Sequence, residues 1–306
     1  MSQLDQILAS PLLKGWSLGP ELGRGGMGLV HLVTEARSGA RRALKILSPA
    51  VAAEKDCGLR FQREVGNMVA LRHPNLVRAY TAGEYEGIAF LIMEYCEGGS
   101  VADLIARSGP LPVRVALHMI RDVLDGLAYA HGASVVSMTG DAAPVSMGGI
   151  VHRDLKPHNV LTTTESGTRL FKIADFGLAK AFELAGVSAV TYTGAMGGTP
   201  AFMPRQQAVN FKYARPEVDV WAAAACFYYA LTGRPPRDLV LDRDPWLQVW
   251  TTTAMPIAER GISLPAALSR LIDESLVDRP EIRFSTVADF ANALTSACRR
   301  EGIEYP

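Results

Sequence analysis

One stretch of this sequence decides its fold: His152-Arg153-Asp154-Leu155-Lys156-Pro157-His158-Asn159-Val160. Within six residues it places the carboxylate of Asp154, the ammonium group of Lys156 and the carboxamide of Asn159. Together these groups can align a hydroxyl, neutralise a phosphate and hold a magnesium ion. The stretch is therefore predicted to be a catalytic loop.

A second motif follows the loop and ends in Asp175-Phe176-Gly177. Residues 171–174 before it are mostly apolar and predict a strand, so the motif lies where a strand ends. Asp175 and Asn159 offer the oxygen donors that magnesium prefers, while water and phosphate oxygens fill its other positions. We therefore expect these two residues to share a magnesium site.

A glycine-rich segment near the start has the spacing GxGxxG, at Gly23, Gly25 and Gly28. Dinucleotide-binding turns share this spacing, but they continue directly into a helix. Here residues 29–33 are apolar and favour a strand. We therefore predict a strand, a glycine turn and a second strand that cover phosphates. A glycine-rich surface hairpin without a ligand is the alternative.

The next predicted strand carries one lysine, Lys45, among apolar neighbours. A lone lysine on a strand is usually a solvated position. Apolar residues downstream recur at helical spacing between residues 61 and 69, and Glu64 lies beside that stripe. Lys45 and Glu64 are therefore a candidate ion pair, although an exposed helical acid is the common alternative for Glu64.

Composition limits the classes of function. The chain has 306 residues, is 48% apolar, and carries 31 basic and 31 acidic residues, so no overall charge attracts it to nucleic acid. Four separated cysteines without a CxxC pair argue against a disulfide framework or zinc site. No secretory signal is visible, and the most apolar run, residues 222–231, is too short to span a bilayer. We expect a cytoplasmic protein without a membrane segment, and an anchor beyond Pro306 stays open.

These motifs, in this order, resemble those of the protein kinases. Lys156 two residues after Asp154 is typical of the serine/threonine-directed members. The Gly-Gly-Met-Gly loop and the segment 231–236, Leu-Thr-Gly-Arg-Pro-Pro, are closest to the bacterial, eukaryotic-like members. The resemblance implies an α+β fold of two lobes. We expect a lead-in at residues 1–15, a kinase domain at 16–300 and a tail at 301–306. Within the domain, a small β-rich N-lobe with one main helix would span about 16–95, and a larger helical C-lobe about 100–300.

The resemblance also implies ATP, with Mg²⁺ as the metal and Mn²⁺ as an alternative. Asp154 would orient the acceptor hydroxyl, Lys156 would steady the phosphoryl group, and Lys45, held by Glu64, would grip the α- and β-phosphates. Met93 would be the gatekeeper at the back of the adenine pocket. The implied nucleotide contacts are Leu22, Gly23, Gly25, Gly28, Val30, Ala43, Lys45, Met93, Glu94, Cys96 and Leu161.

The segment after residue 177 resembles an activation segment. Phosphorylation at Thr191 or Thr193 would let Arg153 engage the phosphate and order the segment. Thr199 would form a hydrogen bond near Asp154 and Lys156. The partners implied are ATP and a protein substrate, and self-phosphorylation or a dimer stays open.

Two features depart from the family pattern. Residues 132–149 form an insertion before the catalytic loop, which we interpret as a tolerated surface loop, with a docking or dimerisation element as the alternative. Where the family has Ala-Pro-Glu, this chain has Pro204-Arg205-Gln206. The family glutamate pairs with a late arginine, expected here to be Arg283. Its absence predicts a buried guanidinium without a counter-charge.

Three rival functions remain on sequence grounds. A pseudokinase scaffold would keep the fold and act by binding, an interpretation favoured only by Gln206. A small-molecule kinase normally lacks Lys156 and the Gly-Thr-Pro segment at residues 198–200. A tyrosine kinase would be expected to replace Lys156.

Overall fold

The computed structural model describes residues 7–8, 10–25, 28–47, 69–137, 145–176, 199–211, 214–240 and 242–305, with the backbone alone at 134–137, 145–148 and 199. The predicted α+β architecture is confirmed. A five-stranded antiparallel sheet forms the first lobe, and helices dominate the second.

The N-lobe sheet has the strand order β1-β2-β3-β5-β4, and every neighbouring pair is antiparallel. Its strands are β1 (Trp16–Gly25), β2 (Gly28–Glu35), β3 (Arg41–Leu47), β4 (Ala79–Tyr85) and β5 (Ile88–Glu94). Gly25 ends β1 and Gly28 begins β2, so the two predicted strands are confirmed, whereas the predicted turn at residues 26–27 lies outside the described residues. Gly28 has φ +133°, and a Cβ there would lie 1.9 Å from the carbonyl oxygen of Ile46, so only glycine fits.

The apolar core of the N-lobe includes residues from before β1. Ile7 and Leu13 are fully buried in this core, and Leu13 ends a short 3₁₀ helix, Pro11–Leu13. They pack with Val33, Leu44, Ile46, Ile88, Phe90 and Ile92. Two residues of the expected lead-in, Ile7 and Leu13, are therefore part of the N-lobe core, although they precede the expected start of the domain at residue 16.

The C-lobe contains seven described α-helices. They are α1 (Val101–Ser108), α2 (Val113–Gly132), α3 (Arg205–Val209), α4 (Glu217–Thr232), α5 (Pro245–Thr251), α6 (Ala266–Ser275) and α7 (Val287–Arg300). In the described part of the chain, no helix combines the length and apolarity that a membrane span requires.

Helix α4 is the centre of the C-lobe, because almost all of its side chains are buried. A helix that is apolar on every face must be surrounded by protein, and α4 packs with α2, α6 and α7. The sequence predicted this buried helix, and its predicted glycine cap is confirmed. Gly233 adopts the left-handed conformation at φ +69° and donates its N–H to the carbonyl of Tyr229.

Two hairpins flank the catalytic loop. Strands β6 (Ser134–Ser137) and β7 (Val145–Gly148) pair within the insertion. Strands β8 (Val160–Glu165) and β9 (Thr168–Ile173) follow the loop and lead to Asp175. The insertion thus begins and ends in an antiparallel pair, and the interpretation as a surface loop or a docking element stays open.

The His-Pro-Asn turn at residues 73–75 attaches the N-lobe to strand β9. The side chain of Asn75 donates to the carbonyl of Phe171 at 3.1 Å, and its carbonyl accepts the N–H of Ile173 at 2.9 Å. The N–H of Val77 then donates to Ile173 at 2.8 Å. These bonds hold β9, which ends beside the predicted metal ligand Asp175, at a defined position between the lobes.

Candidate active site

Asp219 on α4 holds the start of the catalytic loop. Its fully buried carboxylate accepts the backbone N–H groups of His152 at 2.7 Å and Arg153 at 2.9 Å, and it lies 2.8 Å from Nε2 of His131. Burial alone would raise the pKa of Asp219, but the hydrogen bond and the charge of His131 lower it overall. The group is therefore a carboxylate that fixes the loop backbone.

Arg153 carries the backbone strain of this loop. Its φ of +64° lies in the left-handed region, which costs a residue with a side chain of the order of 1 kcal/mol. The bond from its N–H to Asp219 and the bond that its carbonyl accepts from the side chain of Gln207 offset this cost. The catalytic loop is therefore held in this conformation by bonds to both α4 and α3.

The three chemical groups predicted for the loop meet in the structure. Nζ of Lys156 lies 3.1 Å and 3.3 Å from the two carboxylate oxygens of the buried Asp154. The amide nitrogen of Asn159 donates to the backbone carbonyl of Asp154 at 2.7 Å and to its carboxylate at 3.2 Å. The Asp154 carboxylate is thus oriented by a cation and an amide from its own loop.

His152 connects the catalytic loop to the Asp-Phe-Gly motif. Its Nδ1 accepts the N–H of Asp154 at 3.1 Å, so its proton lies on Nε2, which donates to the carbonyl of Ala174 at 2.8 Å. The ring of Phe176 meets the His152 ring edge to face, with centroids 4.8 Å apart. The histidine therefore connects the two motifs.

Lys45 and Asp175 form an ion pair between the lobes. Nζ of Lys45 on β3 lies 2.7 Å from Oδ2 of Asp175, and both side chains are largely buried. Asp175 has φ +58°, which turns its side chain out of the line of β9. The expected partner Glu64 lies outside the described residues, so the Lys45–Glu64 pair stays a prediction.

The residues predicted to surround adenine are brought together by the register of the sheet. Val30 is opposite Lys45 across β2 and β3, and Ala43 is opposite Met93 across β3 and β5. Leu161, the second residue of β8, is bridged to Ser100, just after the strand-to-helix connection that follows β5. Met93 also lines a small cavity with Leu91 and Phe176, as a gatekeeper at the back of a pocket would.

The phosphate end of the site is described in part. Gly23, Gly25 and Gly28 lie at the tip of the β1–β2 hairpin, and the neighbouring Leu22 is exposed. Three expectations are not tested by the described residues: Thr191 and Thr193 lie outside them, and only the backbone of Thr199 is described, at the start of a 3₁₀ helix, Thr199–Phe202.

The predicted contact between Gln206 and Arg283 is wrong. Arg283 is exposed, and its guanidinium lies over the ring of Phe284. Gln206 instead donates its amide to the carbonyl of Asp278 at 2.9 Å. Arg205, next to Gln206, instead supplies a buried cation to the segment in which the family has an anion.

Arg205 forms the buried ion pair of this region with Asp278. Its N–H and its guanidinium both contact the Asp278 carboxylate, and its Nε donates to the carbonyl of Trp250 at 2.9 Å. Arg237 contacts the same carboxylate and stacks on Trp221 at 4.6 Å. Asp278 thus compensates two guanidinium groups, and we call Arg205, Arg237 and Asp278 the Asp278 cluster.

Comparison with known protein families assigns residues 16–294 to the family described as "Protein kinase domain". The chain belongs to the protein kinase family. Its curated relatives include the serine/threonine-protein kinase PknB of Mycobacterium tuberculosis, 32% identical over 301 residues that cover 97% of this chain and 45% of PknB. Another is the serine/threonine-protein kinase pkn2 of Myxococcus xanthus, 31% identical over 282 residues that cover 90% of this chain and 31% of pkn2. The predicted resemblance to bacterial serine/threonine kinases is thereby confirmed.

Solved structures agree with this assignment. The kinase domain of Mycobacterium tuberculosis PknI superposes with a TM-score of 0.66 at 26% identity, covering 92% of this chain and 96% of that one. A double mutant of the same domain superposes with a TM-score of 0.68 at 24% identity, covering 92% and 95%. The chain spans less than half the length of the curated relatives named above.

Kinases of this family use ATP and a divalent metal, and the donor atoms here fit such an ion. The amide nitrogen of Asn159 is committed to Asp154, so its oxygen is left to face away from that residue. The N–H of Ala174 donates to the carbonyl of Asn159 at 2.8 Å, which brings the adjoining Asp175 to the same end of the loop. One carboxylate and one amide oxygen suit a hard cation that keeps water and phosphate ligands.

Sequence reasoning missed the supports of the site. Asp219 was recognised as the start of an apolar helix, and its bonds to the catalytic loop were not foreseen. The signal was available, because an acid inside an almost wholly apolar segment needs a buried partner. Lys172 on β9, buried between Glu94 and Glu165, was also missed, since a single lysine in a strand gave no sign of its partners.

Proposed function

We propose that this domain transfers the γ-phosphoryl group of ATP to serine and threonine hydroxyls of proteins. The observation that carries the proposal is the orientation of the Asp154 carboxylate by Lys156 and Asn159, beside the Lys45–Asp175 pair. A scaffold that only bound a partner would have no need of a carboxylate, an ammonium group and an amide held together.

The residues divide the reaction between them. The acceptor oxygen forms a bond to the γ-phosphorus, the bond from that phosphorus to the β–γ bridging oxygen breaks, and the hydroxyl proton passes to Asp154. Lys156 neutralises charge on the moving group, and Lys45 holds the α- and β-phosphates. Magnesium held by Asp175 and Asn159 would neutralise phosphate charge. Most of the rate enhancement then comes from positioning and charge stabilisation.

Regulation by phosphorylation is a further part of the proposal. We propose that Thr191 or Thr193 accepts a phosphate and that Arg153 binds it. The Arg153 backbone is fixed by Asp219 and Gln207. A phosphothreonine bound by the Arg153 guanidinium would therefore attach the activation segment to a loop that is already held in place. Mapping of phosphosites after self-phosphorylation, followed by Thr191→Ala and Thr193→Ala, tests this part separately.

The rival functions lose support or are tested by the same assay. The pseudokinase interpretation depended on Gln206, and the Asp278 cluster provides a buried ion pair in that region. Lys156 beside Asp154 favours a serine or threonine acceptor over a tyrosine or a small molecule.

The test is transfer from γ-labelled ATP with Mg²⁺ to the protein itself and to an added acceptor protein. We expect label on serine or threonine, and none above background with Asp154→Asn. Glu274→Gln, an equal change at an exposed residue of α6, is the matched control and should keep wild-type activity. Wild-type transfer by Asp154→Asn would overturn the role of Asp154. No label with any acceptor would overturn the proposed function.

A further inference from the structure

The segment that joins the lobes is fastened to the β8–β9 hairpin along its length. We call residues 94–99 the hinge segment. The backbone N–H of Gly98 donates to the carbonyl of Thr162 at 3.0 Å, and the N–H of Thr162 donates to the carbonyl of Gly99 at 2.8 Å. A Cβ at Gly98 would lie 2.1 Å from the Thr162 hydroxyl, so the hinge segment and β8 are too close at this point for any side chain at position 98.

Side chains add two further fasteners. Glu97 accepts the hydroxyl of Thr163 and the N–H of Thr164, both at 2.8 Å. At the other end of the segment, Nζ of Lys172 lies 2.7 Å from the Glu94 carboxylate. Among these described fasteners, the Lys172–Glu94 pair alone holds the residue that ends β5, next to the gatekeeper position Met93.

Glu94 is held from both lobes. Its second carboxylate oxygen accepts the N–H of Arg78 at 3.1 Å, and its own N–H donates to the carbonyl of Arg78 at 2.8 Å. The carboxylate thus connects the start of β4 in the N-lobe with Lys172 on β9 in the C-lobe. Its position decides where the backbone of the hinge segment begins.

Lys172 has a rigid base. Its neighbours Phe171 and Ile173 point to the opposite face of β9 and are buried in the C-lobe core, so the strand has little freedom to shift. Lys172 is opposite Leu161, the predicted floor under adenine, and lies three residues before Asp175. Lys172 therefore contacts the hinge segment through its side chain, and its backbone lies in the strand that pairs with the adenine floor and leads to the metal ligand.

The charge of Lys172 is retained despite burial. Its side chain is 6% exposed, and Glu165, its second partner at 2.7 Å, is half exposed. Burial alone would lower the pKa of Lys172, but its hydrogen bonds to Glu165 and Glu94 raise it overall. An ammonium group buried in this way is costly unless it is paired.

We infer that Lys172 is a positioning residue for nucleotide recognition, which holds the hinge segment through Glu94 so that its backbone groups meet the adenine ring. The inference rests on the proposed function, because it assumes that adenine binds this segment. It assigns Lys172 no contact with the nucleotide. Its loss should weaken binding of the adenine end and leave the phosphate-handling groups unaffected.

Direct binding separates the inference from the proposed function. Nucleotide affinity would be measured with a fluorescent ADP analogue, with ATP and adenosine as competitors, in wild type, Lys172→Met and Lys172→Arg. Adenosine has no phosphates, so its affinity reports the adenine end alone. We expect Lys172→Met to weaken ATP and adenosine by the same factor of about ten, the effect of one hydrogen bond to a charged group, and Lys172→Arg to restore most of it.

Glu165→Gln is the matched control. This change weakens the ion pair between Lys172 and the half-exposed Glu165 and keeps the pair between Lys172 and Glu94. The affinities for ATP and adenosine should therefore stay within about twofold of wild type. For Lys172→Met, kcat at saturating ATP should remain within about twofold while KM for ATP rises in parallel with the binding constant.

Each outcome is decisive. Wild-type binding of adenosine by folded Lys172→Met would overturn the inference, and so would a loss of kcat without a change in KM. If Lys172→Met fails to fold, Glu94→Gln, which removes only the charge of the partner, replaces it under the same criteria. Absence of nucleotide binding by the wild-type protein would instead contradict the proposed function itself.

Discussion

Arg205 and Asp278 form a buried ion pair beside the catalytic loop, with the cation on the segment where protein kinases carry a glutamate. The sign of the charge on that segment is therefore reversed. The acidic partner has moved to the loop after α6, where Asp278 also compensates Arg237. Gln207, on the same helix α3 as Arg205, donates its side-chain amide to the carbonyl of Arg153. The ion pair therefore stabilises the helix that supports the catalytic loop.

Asp278→Asn should be strongly destabilising, because it removes the negative charge that compensates two buried guanidinium groups and leaves them only neutral acceptors. We expect a loss of about 3 to 5 kcal/mol in the free energy of unfolding, measured by urea denaturation. The matched change Arg283→Gln alters an exposed residue and should cost less than about 0.5 kcal/mol. The opposite order would show that Arg283 carries the structural charge.

Gln206→Glu should lower stability, in contrast to the gain that a contact with Arg283 would give. The amide of Gln206 donates to the Asp278 carbonyl, and a carboxylate in its place would face that oxygen without a proton. We expect a loss of roughly 1 to 3 kcal/mol in the free energy of unfolding. A higher melting temperature in a thermal scan would contradict the hydrogen bond seen here.

Asp219→Asn should reduce kcat about 100-fold, because misplacement of the catalytic loop affects every group on it. It should also make stability less dependent on pH in acid. The pKa of Asp219 is lowered in the folded state, so its contribution is present above its ordinary pKa of 3.8 and is lost as pH falls through the lowered value. The difference in unfolding free energy between wild type and the variant should therefore be largest at pH 5 to 7 and shrink below about pH 4. A difference that grew in acid would contradict this sign.

Cys96 in the hinge segment should resist alkylation while the protein is folded. Burial raises the pKa of its thiol to about 12, so almost none of the thiol is ionised to the reactive thiolate at pH 8. Peptide mass spectrometry after iodoacetamide treatment should find Cys96 unmodified in the native protein and modified in guanidinium chloride. Rapid native labelling would show that the hinge segment opens readily.

The inserted hairpin should be removable if it is only a surface element. The N–H of Gly149 already donates to the carbonyl of Ala133 at 2.9 Å, which is the bond that closes a two-residue β-turn. Replacing residues 134–148 with Asn-Gly should therefore join the chain without strain. We expect self-phosphorylation to remain unchanged, and light scattering to give the same number of subunits as for the wild-type protein. Loss of either would favour the docking or dimerisation alternative.

The sequence predicted the features that depend on neighbouring residues or on the order of motifs along the chain. The strands, the apolar helix α4 and the meeting of Asp154, Lys156 and Asn159 all follow from local patterns. Long-range partners of charged residues did not follow, because a pattern shows that a charge is buried without showing what compensates it. Arg283 was expected to be the buried charge near Gln206 for that reason, and Asp278 was not foreseen. The partners of Lys172, which lie 78 and 7 residues away along the chain, were not foreseen either.

Two side chains that precede the family match have a practical consequence. Ile7 and Leu13 fill the N-lobe core, whereas the family match begins at residue 16. An expression fragment that began at residue 16 would lack these two side chains and leave cavities beneath the sheet that carries Lys45. Lys45 would then be held less firmly in the position from which it is proposed to bind the phosphates of ATP. Low activity in such a fragment would then report the choice of cloning boundary rather than the catalytic capacity of the domain.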